Sequence, residues 1–160
     1  DFVACAVTSG NITILSDGTP WRPLIHVKDM ARAFDWALGR NGAHGDFLAV
    51  NVGSNIWNYQ VKELAEAVAK VVPGVSISIN KNAPPDNRSY RVDFSLYERL
   101  APKHQPQVDL LTAIAELKEG LEAMGFSDPN FRSSKYMRLE VLKRLREKGM
   151  LDGNLEWTGA

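Results

Sequence analysis

Two arginines that lie far apart in the chain have the chemistry to hold one anion. Arg22 lies in an Arg-Pro turn that leads through a short apolar run into a helix, and Arg88 lies in a proline-rich loop. A guanidinium group stays charged at any relevant pH and meets two phosphate oxygens at once, so a pyrophosphate site favours arginine over lysine. The spacing equally allows two surface arginines that cap helix ends or pair with Asp29 and Asp86.

Further polar and aromatic residues near these arginines have two interpretations each. Trp21 could stack on a base or line a sugar pocket, or pack in the core or an interface. Asn55 and Asn58 could hydrogen-bond a substrate, although Asn58 is also explained as a helix cap. We interpret His26 as a packed histidine bonded to backbone rather than a catalytic base.

Strands and helices alternate in the predicted element order, which gives an α/β class of mixed short strands and helices. Phe47 to Val52 is nearly all apolar and predicts a strand covered on both faces. Asn58 is predicted to cap a helix, and Ser95 with Glu98 to form a capping box. The predicted helices span about 2–9, 27–38, 59–72, 96–100, 109–124 and 135–148, and the predicted strands 12–15, 47–52 and 75–79.

Composition points to one ordinary globular unit. The chain has 160 residues, of which 44% are hydrophobic, so we predict a single domain over residues 1–160 with a last helical segment at 134–149. Lys plus Arg equals Asp plus Glu at 19 each, so any anion site must be local. A lone Cys5 and the lack of any long apolar run predict a cytoplasmic location without membrane contact.

The last predicted helix is basic but does not indicate a nucleic-acid site. Seven Lys and Arg residues lie between 132 and 148 against two Glu. Met137, Val141, Leu142 and Leu145 give the helix a core-facing stripe, and no interleaved aromatic residues supply base stacking. We interpret the charges as a solvated face and predict no nucleic-acid partner.

Three ordered motifs resemble the back half of a known family. Residues 22–31 fit the pattern R-x-x-x-H-V-x-D-x-A, residues 51–53 fit N-x-G, and residues 86–95 fit D-x-R-x-Y-x-x-D-x-S. These are motifs of the extended short-chain dehydrogenases/reductases, the NAD-dependent epimerase/dehydratase family that acts on sugar nucleotides. The chain therefore resembles the C-terminal, substrate-binding portion of such an enzyme, without the N-terminal Rossmann half, and its start at Asp1 suits a fragment.

The resemblance implies a site for a nucleotide sugar. In the family, the arginines of the first and third motifs approach the diphosphate, so the resemblance implies the same role for Arg22 and Arg88. The strand before the first motif commonly runs beside the nucleobase, which points to Ile12 through Leu15 with Ile14 as the candidate. The remaining candidate substrate-binding residues are Trp21, Asn55 and Asp86.

The chemistry of the family is not encoded in this chain. Gly39, Gly42 and Gly45 match the letters of a dinucleotide fingerprint, but they follow a helix and precede a strand, which is the reverse of the required order. The family needs a tyrosine with a lysine four residues on, and none of the four tyrosines has one. We therefore predict no catalytic residue, bound cofactor or metal in this chain alone, with NAD in the complete parent enzyme.

Two functions follow as hypotheses. The first is the nucleotide-sugar-binding portion of an NAD-dependent sugar-nucleotide epimerase or dehydratase, inactive by itself, whose partners are the substrate and the missing Rossmann half. The second is a non-catalytic interaction module, or an oligomer formed by self-association of a truncated chain. Apolar surface that would pack on a cofactor domain motivates the second, with Phe47 to Val52 as its exposed strand.

Overall fold

The computed structural model describes residues 1–41, 45, 47–84, 86 and 88–159. The chain divides into two compact units, Asp1–Phe126 and Ser127–Ala160. The single-domain organisation over residues 1–160 stays a prediction.

The first unit mixes short strands with helices, as an α/β class requires. In chain order its elements are α1 (Phe2–Ser9), β1 (Asn11–Ile14), β2 (Trp21–Pro23), α2 (Val27–Leu38), a 3-10 turn (Asn55–Trp57), β3 (Asn58–Gln60), α3 (Val61–Val71), β4 (Ser76–Ile79), α4 (Ser95–Leu100) and α5 (Leu110–Ala123). The second unit contains a 3-10 turn (Phe131–Ser133) and α6 (Arg138–Glu147).

Two small sheets organise the first unit. β1 pairs with β4 in parallel, and its Ile12 and Ile14 side chains are buried against α1 and α3. β2 pairs with β3 in antiparallel register, which sets Arg22 opposite Tyr59. The second sheet thus places the first candidate arginine at a fixed point on a strand.

Local signals predicted most of the helices correctly. Gly10 ends α1 in the left-handed conformation, at φ 66°, which a residue without Cβ adopts at no steric cost. Asp109 caps α5 by accepting a hydrogen bond from the Thr112 backbone N–H at 2.8 Å. The ranges predicted for α2 and α3 agree with the structure to within about two residues.

The strand predicted at Phe47 to Val52 is wrong. These residues form no regular element among the described part of the chain, and their side chains alternate between exposed and half-buried, with Phe47 at 85% exposure. The inner side chains Val50 and Val52 pack against a small cluster of Ala33, Tyr97 and Ala101. No described strand pairs with the backbone of this segment, so the hydrogen-bond ladder that a strand needs is missing.

Both predicted helix caps are corrected by the structure. Asn58 lies in β3 rather than at a helix start, and α3 begins after Gln60, whose backbone N–H donates to the Glu63 carboxylate at 2.6 Å. Ser95 is the first residue of α4, and the preceding Phe94 makes no side-chain cap. The Ser95 hydroxyl instead accepts a hydrogen bond from Asn55.

The cluster around Tyr97 joins α2 to α4. The Tyr97 ring is fully buried and meets the Trp36 ring edge to face, with centroids 5.4 Å apart. The Tyr97 hydroxyl donates to the His104 carbonyl at 2.7 Å, so the polar end of the ring is satisfied. Burial raises the pKa of this hydroxyl.

The second unit is small and has few buried side chains. Phe131 and Leu151 are buried, and Leu151 pairs with Trp157 in an isolated antiparallel bridge. α6 starts three residues later than predicted and has no fully buried residue. The stripe predicted to face the core is therefore less buried than expected, because Val141, Leu142 and Leu145 are only half-buried.

Within the described residues, no helix has both the length and the apolar content that crossing a bilayer demands.

Candidate functional site

Arg22 and Arg88 converge on one carboxylate. The Arg22 Nη2 atom lies 2.6 Å from Asp86 Oδ2, and the Arg88 Nε and Nη2 atoms lie 3.0 and 3.3 Å from Asp86 Oδ1 and Oδ2. The arginines are 66 positions apart, so their meeting is a product of the fold. We name this group the arginine clamp, defined as Arg22, Asp86 and Arg88.

Backbone contacts hold the Arg88 loop against β2. The Trp21 N–H donates to the Ser89 hydroxyl at 3.0 Å, and Arg22 Nη1 donates to the carbonyls of Trp21 at 2.7 Å and Arg88 at 2.9 Å. Arg22 is therefore fixed and has a 27% exposed side chain, whereas Arg88 is 84% exposed. Backbone carbonyls therefore hold the Arg22 guanidinium in place, whereas most of the Arg88 side chain is exposed to solvent.

A third arginine, Arg91, adds positive charge to this face. Its guanidinium carbon lies 4.6 Å from the centroid of the Trp21 ring, in a cation–π contact. Sequence reasoning missed Arg91, although it follows Arg88 by three positions in the same motif. With Asp86 as the counter-charge, the three arginines leave this face with two net positive charges.

The clamp is fully ionised under ordinary conditions. Hydrogen bonds from the Arg88 side chain and backbone, and a further one from Arg22, lower the pKa of Asp86 to about 2. The same pairing raises the pKa of Arg88. Hydrogen bonds to the charged form of a carboxyl group favour that form, so Asp86 stays anionic at neutral pH.

The two asparagines of the neighbouring segment are occupied by the backbone. Asn55 accepts from the Phe94 N–H at 2.9 Å and donates to the Ser95 hydroxyl at 3.0 Å. Buried Asn58 accepts from the Val92 N–H and donates to the Val92 and Asn55 carbonyls. These hydrogen bonds connect the segment after Gly53 to the segment after Arg88. In this structure the two asparagine side chains therefore stabilise the fold.

Ile14 lies in the core. Its side chain is buried, and its carbonyl accepts from the Asn80 N–H at 3.0 Å. A substrate-binding role stays a prediction for Ile14, Trp21, Arg22, Asn55, Asp86 and Arg88.

A cleft of about 590 Å³ opens beside Arg22. Apolar side chains of α1, α3, α5, the first 3-10 turn and the segment before α2 form most of its wall, among them Phe2, Leu24, Trp57, Leu64, Val68 and Ile114. The polar residues that line it are Asp1, Arg22, His26, Tyr59 and Asp109, so both signs of charge are present. A largely apolar cleft with a few polar groups is the usual form of a small-molecule site.

His26 is a helix cap within this wall. Its Nδ1 atom accepts from the Lys28 N–H at 3.2 Å, and its Nε2 atom lies 3.4 Å from Glu116. Glu116 also accepts two hydrogen bonds from the Lys28 ammonium group, which lower the pKa of its carboxyl. The predicted packed histidine bonded to backbone is confirmed.

Asp29 has a role that sequence reasoning missed. Its side chain is fully buried, accepts from the Gln107 and Val108 N–H groups at 3.0 Å each, and pairs with Arg32. The available signal was an acidic residue in the first turn of a helix within the first motif. Asp29 joins α2 to the chain ahead of α5 and so shapes one wall of the cleft.

Gly39, the first of the three fingerprint-like glycines, does not lie where a dinucleotide pyrophosphate would bind. Gly39 lies at the C-terminal end of α2, where carbonyl groups and the negative end of the helix dipole disfavour a pyrophosphate. Gly45 is described at φ 82°, whereas Gly42 lies outside the described residues. Burial is the main cause that raises the pKa of Tyr59, opposite to the change that a tyrosine base needs.

Metal ligands are not gathered anywhere in the part of the chain that the structure describes. In that part, no three or more His, Cys, Asp or Glu side chains come together in a way that could hold an ion. Cys5 is buried in α1.

Comparison with known proteins connects this fold to one family over part of its length. Residues 1–53 match the sequence model of the NAD dependent epimerase/dehydratase family. This span contains Arg22 and Gly53, whereas Arg88 lies beyond it. No curated protein matches the chain.

Among solved structures, the chain is similar to RMD from Pseudomonas aeruginosa complexed with NADPH. The likeness has a TM-score of 0.59 at 14% sequence identity, and it covers 78% of this chain and 43% of that chain. At this identity the likeness shows the fold alone. The chain spans less than half the length of this structural relative.

Proposed function

We propose that this chain is the nucleotide-sugar-binding portion of an NAD-dependent epimerase or dehydratase, inactive without a dinucleotide-binding half. One observation carries the proposal: Arg22 and Arg88 bring their donors to a single small anion, the Asp86 carboxylate. Two guanidinium groups close enough to share a carboxylate are close enough to share a diphosphate. The family match over residues 1–53 supports the class of enzyme.

The charge of the site supports a diphosphate ligand. The arginine clamp and Arg91 together carry two net positive charges, and the diphosphate of a nucleotide sugar carries two negative charges. Trp21 lies beside the clamp under the Arg91 guanidinium, where an aromatic face suits a base or sugar ring. The apolar cleft beside Arg22 would exclude water from the rest of the ligand.

In this proposal the chain's own residues bind and orient the substrate. Arg22 is the fixed donor because two backbone carbonyls hold its Nη1 atom. Arg88 and Arg91 close over the ligand from the neighbouring loop. NAD, held by the other half of the enzyme, would supply the hydride acceptor, and orientation of the sugar toward it is the contribution of this chain.

Replacing Arg22 with alanine is expected to weaken nucleotide-sugar binding by about tenfold or more, because a charge-assisted donor to the diphosphate is lost. Isothermal titration calorimetry with UDP-glucose and GDP-mannose measures the change. Arg99→Ala is the matched control, since Arg99 is exposed on α4 and takes no part in the clamp. Equal affinity of the unmodified chain and Arg22→Ala would remove Arg22 from the site.

A second candidate function is self-association, and an exposed apolar stripe favours it. Val27, Met30, Phe34 and Leu38 are spaced along one side of α2, and all four are exposed. Elsewhere in the first unit, no backbone hydrogen bond is found between residues 47–52 and other described residues. Exposed apolar side chains along a helix, and a segment without backbone partners, are both surfaces that a partner would cover.

The two candidates assign different partners to this surface. In the leading proposal the dinucleotide-binding half covers it, and in the second a copy of the same chain does. Sedimentation velocity over a concentration series separates them: self-association predicts a dimer that Phe34→Glu returns to monomer. A monomer at every concentration would contradict the second candidate.

A further inference from the structure

Asp86 lies between the two guanidinium groups of the arginine clamp, in the position where a phosphate group would bind. Its two carboxylate oxygens accept hydrogen bonds from both guanidinium groups, from Arg22 at 2.6 Å and from Arg88 at 3.0 and 3.3 Å. We propose that Asp86 is an internal competitor for the diphosphate. The Asp86 carboxylate holds the Arg22 and Arg88 guanidinium groups when no ligand is bound, and the substrate displaces it. This inference rests on the proposed function.

The chemical match between the two anions supports an exchange. A carboxylate presents two oxygens in a plane to a guanidinium fork, and a phosphate presents two oxygens with similar spacing. Both therefore compete for the same donors. The Asp86 side chain is half-buried, with 16% of its surface exposed, so a ligand from solvent can reach its carboxylate.

The loop that carries Arg88 does not depend on the Asp86 carboxylate. The Trp21 N–H bond to Ser89 and the Arg22 bond to the Arg88 carbonyl both remain when that carboxylate leaves. The Ser89 N–H donates to the Asp86 backbone carbonyl at 3.2 Å, which also survives a side-chain rotation. Arg22 and the Arg88 backbone thus keep their places while the anion between the two guanidinium groups changes.

Displacement also releases a backbone donor. The Arg88 N–H donates to Asp86 Oδ1 at 3.0 Å, and it is freed when the carboxylate turns away. An incoming phosphate would receive this N–H together with the two guanidinium groups. The exchange favours ligands with two negative charges. A ligand with one negative charge only replaces the single charge of the Asp86 carboxylate and gains no further attraction to the arginines.

Asp86→Asn is expected to bind inorganic pyrophosphate and ADP about tenfold more tightly than the unmodified chain, since a neutral amide competes less well for charged donors. Calorimetry on the full chain measures both ligands. Asp93→Asn is the matched control: Asp93 lies in the same segment, carries the same charge and bonds to the Ser95 N–H rather than to the clamp. Its affinity is expected to stay within about twofold of the unmodified chain, because the clamp itself is unchanged.

Three results would overturn the inference in distinguishable ways. Weaker binding by Asp86→Asn, with Arg22→Ala also weaker, would make Asp86 a positioning residue and leave the proposed function standing. Equal tightening by Asp86→Asn and Asp93→Asn would show a general charge effect. Failure of the unmodified chain to bind pyrophosphate and ADP would overturn the inference, and its failure to bind UDP-glucose and GDP-mannose as well would remove the proposed function.

A measurement on the unmodified chain covers the case in which Asp86→Asn does not fold. Carbon-detected NMR follows the Asp86 carboxyl signal during a pyrophosphate titration. The inference expects this signal to shift together with the Arg88 Nε signal. An Arg88 shift with a static Asp86 signal would contradict it.

Discussion

Replacing Asp29 with alanine is expected to lower the free energy of unfolding by about 3 kcal/mol, because two N–H groups and Arg32 lose a buried acceptor. The Asp29 side chain is fully buried and accepts from Gln107, Val108 and Arg32. The partly exposed Arg32 can regain water, so the cost comes mainly from the two backbone donors. Urea denaturation followed by circular dichroism measures the change.

Asp35→Ala provides the matched control on the same helix. Asp35 has an 80% exposed side chain whose nearest partner is His104 at 3.4 Å, so its loss is expected to change stability by less than about 0.5 kcal/mol. Asp29→Asn should fall between the two, since an amide oxygen can accept one of the lost hydrogen bonds. A change of less than about 1 kcal/mol for Asp29→Ala would mean that the Gln107 segment is held by other contacts.

Asp29 also shows where sequence reasoning falls short. In the first motif, residue chemistry singles out Arg22 as an anion ligand, and it predicts Asp29 only as an ion-pair partner at the surface. Its carboxylate faces backbone donors 78 and 79 residues further along. No local pattern specifies contacts at that separation, because they depend on how α2 and the segment before α5 meet.

Elements fixed by local chemistry were predicted well. α1, α2, α3 and α5 follow from helical periodicity and end at residues with a physical reason, such as Gly10 after α1. The strands predicted at 12–15 and 75–79 also agree with β1 and β4 to within one residue, whereas the strand predicted at 47–52 does not form. Phe47 to Val52 has the composition of a buried strand, but a strand exists only where another strand supplies its ladder.

The clamp was predicted in part for the same reason. Residue chemistry singled out Arg22 and Arg88 as anion ligands, and their meeting is observed. Two interpretations of the pair were open, an anion clamp and ion pairs with aspartate. The structure shows both arginines paired with Asp86. This arrangement agrees with both interpretations, and a ligand that displaces Asp86 from the arginines distinguishes them.

Gly53→Ala is expected to lower the free energy of unfolding by about 2 to 3 kcal/mol, as overpacking in a tight core does. A Cβ built on Gly53 would lie 2.6 to 2.9 Å from three atoms of the Phe94 ring. Phe94 is buried, and its N–H is held by Asn55, so the ring has little room to move away. The glycine of the second motif is thus required by close approach to an aromatic ring.

Gly120→Ala serves as the control, with the opposite expected sign. Gly120 lies within α5, and an alanine Cβ at this position would meet open space, so alanine is expected to stabilise the chain by about 0.5 to 1 kcal/mol through helix propensity. Combining Gly53→Ala with Phe94→Leu tests the cause, because a smaller side chain removes the clash. If the double variant is no more stable than the sum of the two single changes, steric contact with Phe94 is not the reason. If it is more stable, the contact that links the second motif to the segment after Arg88 is the constraint that this glycine serves.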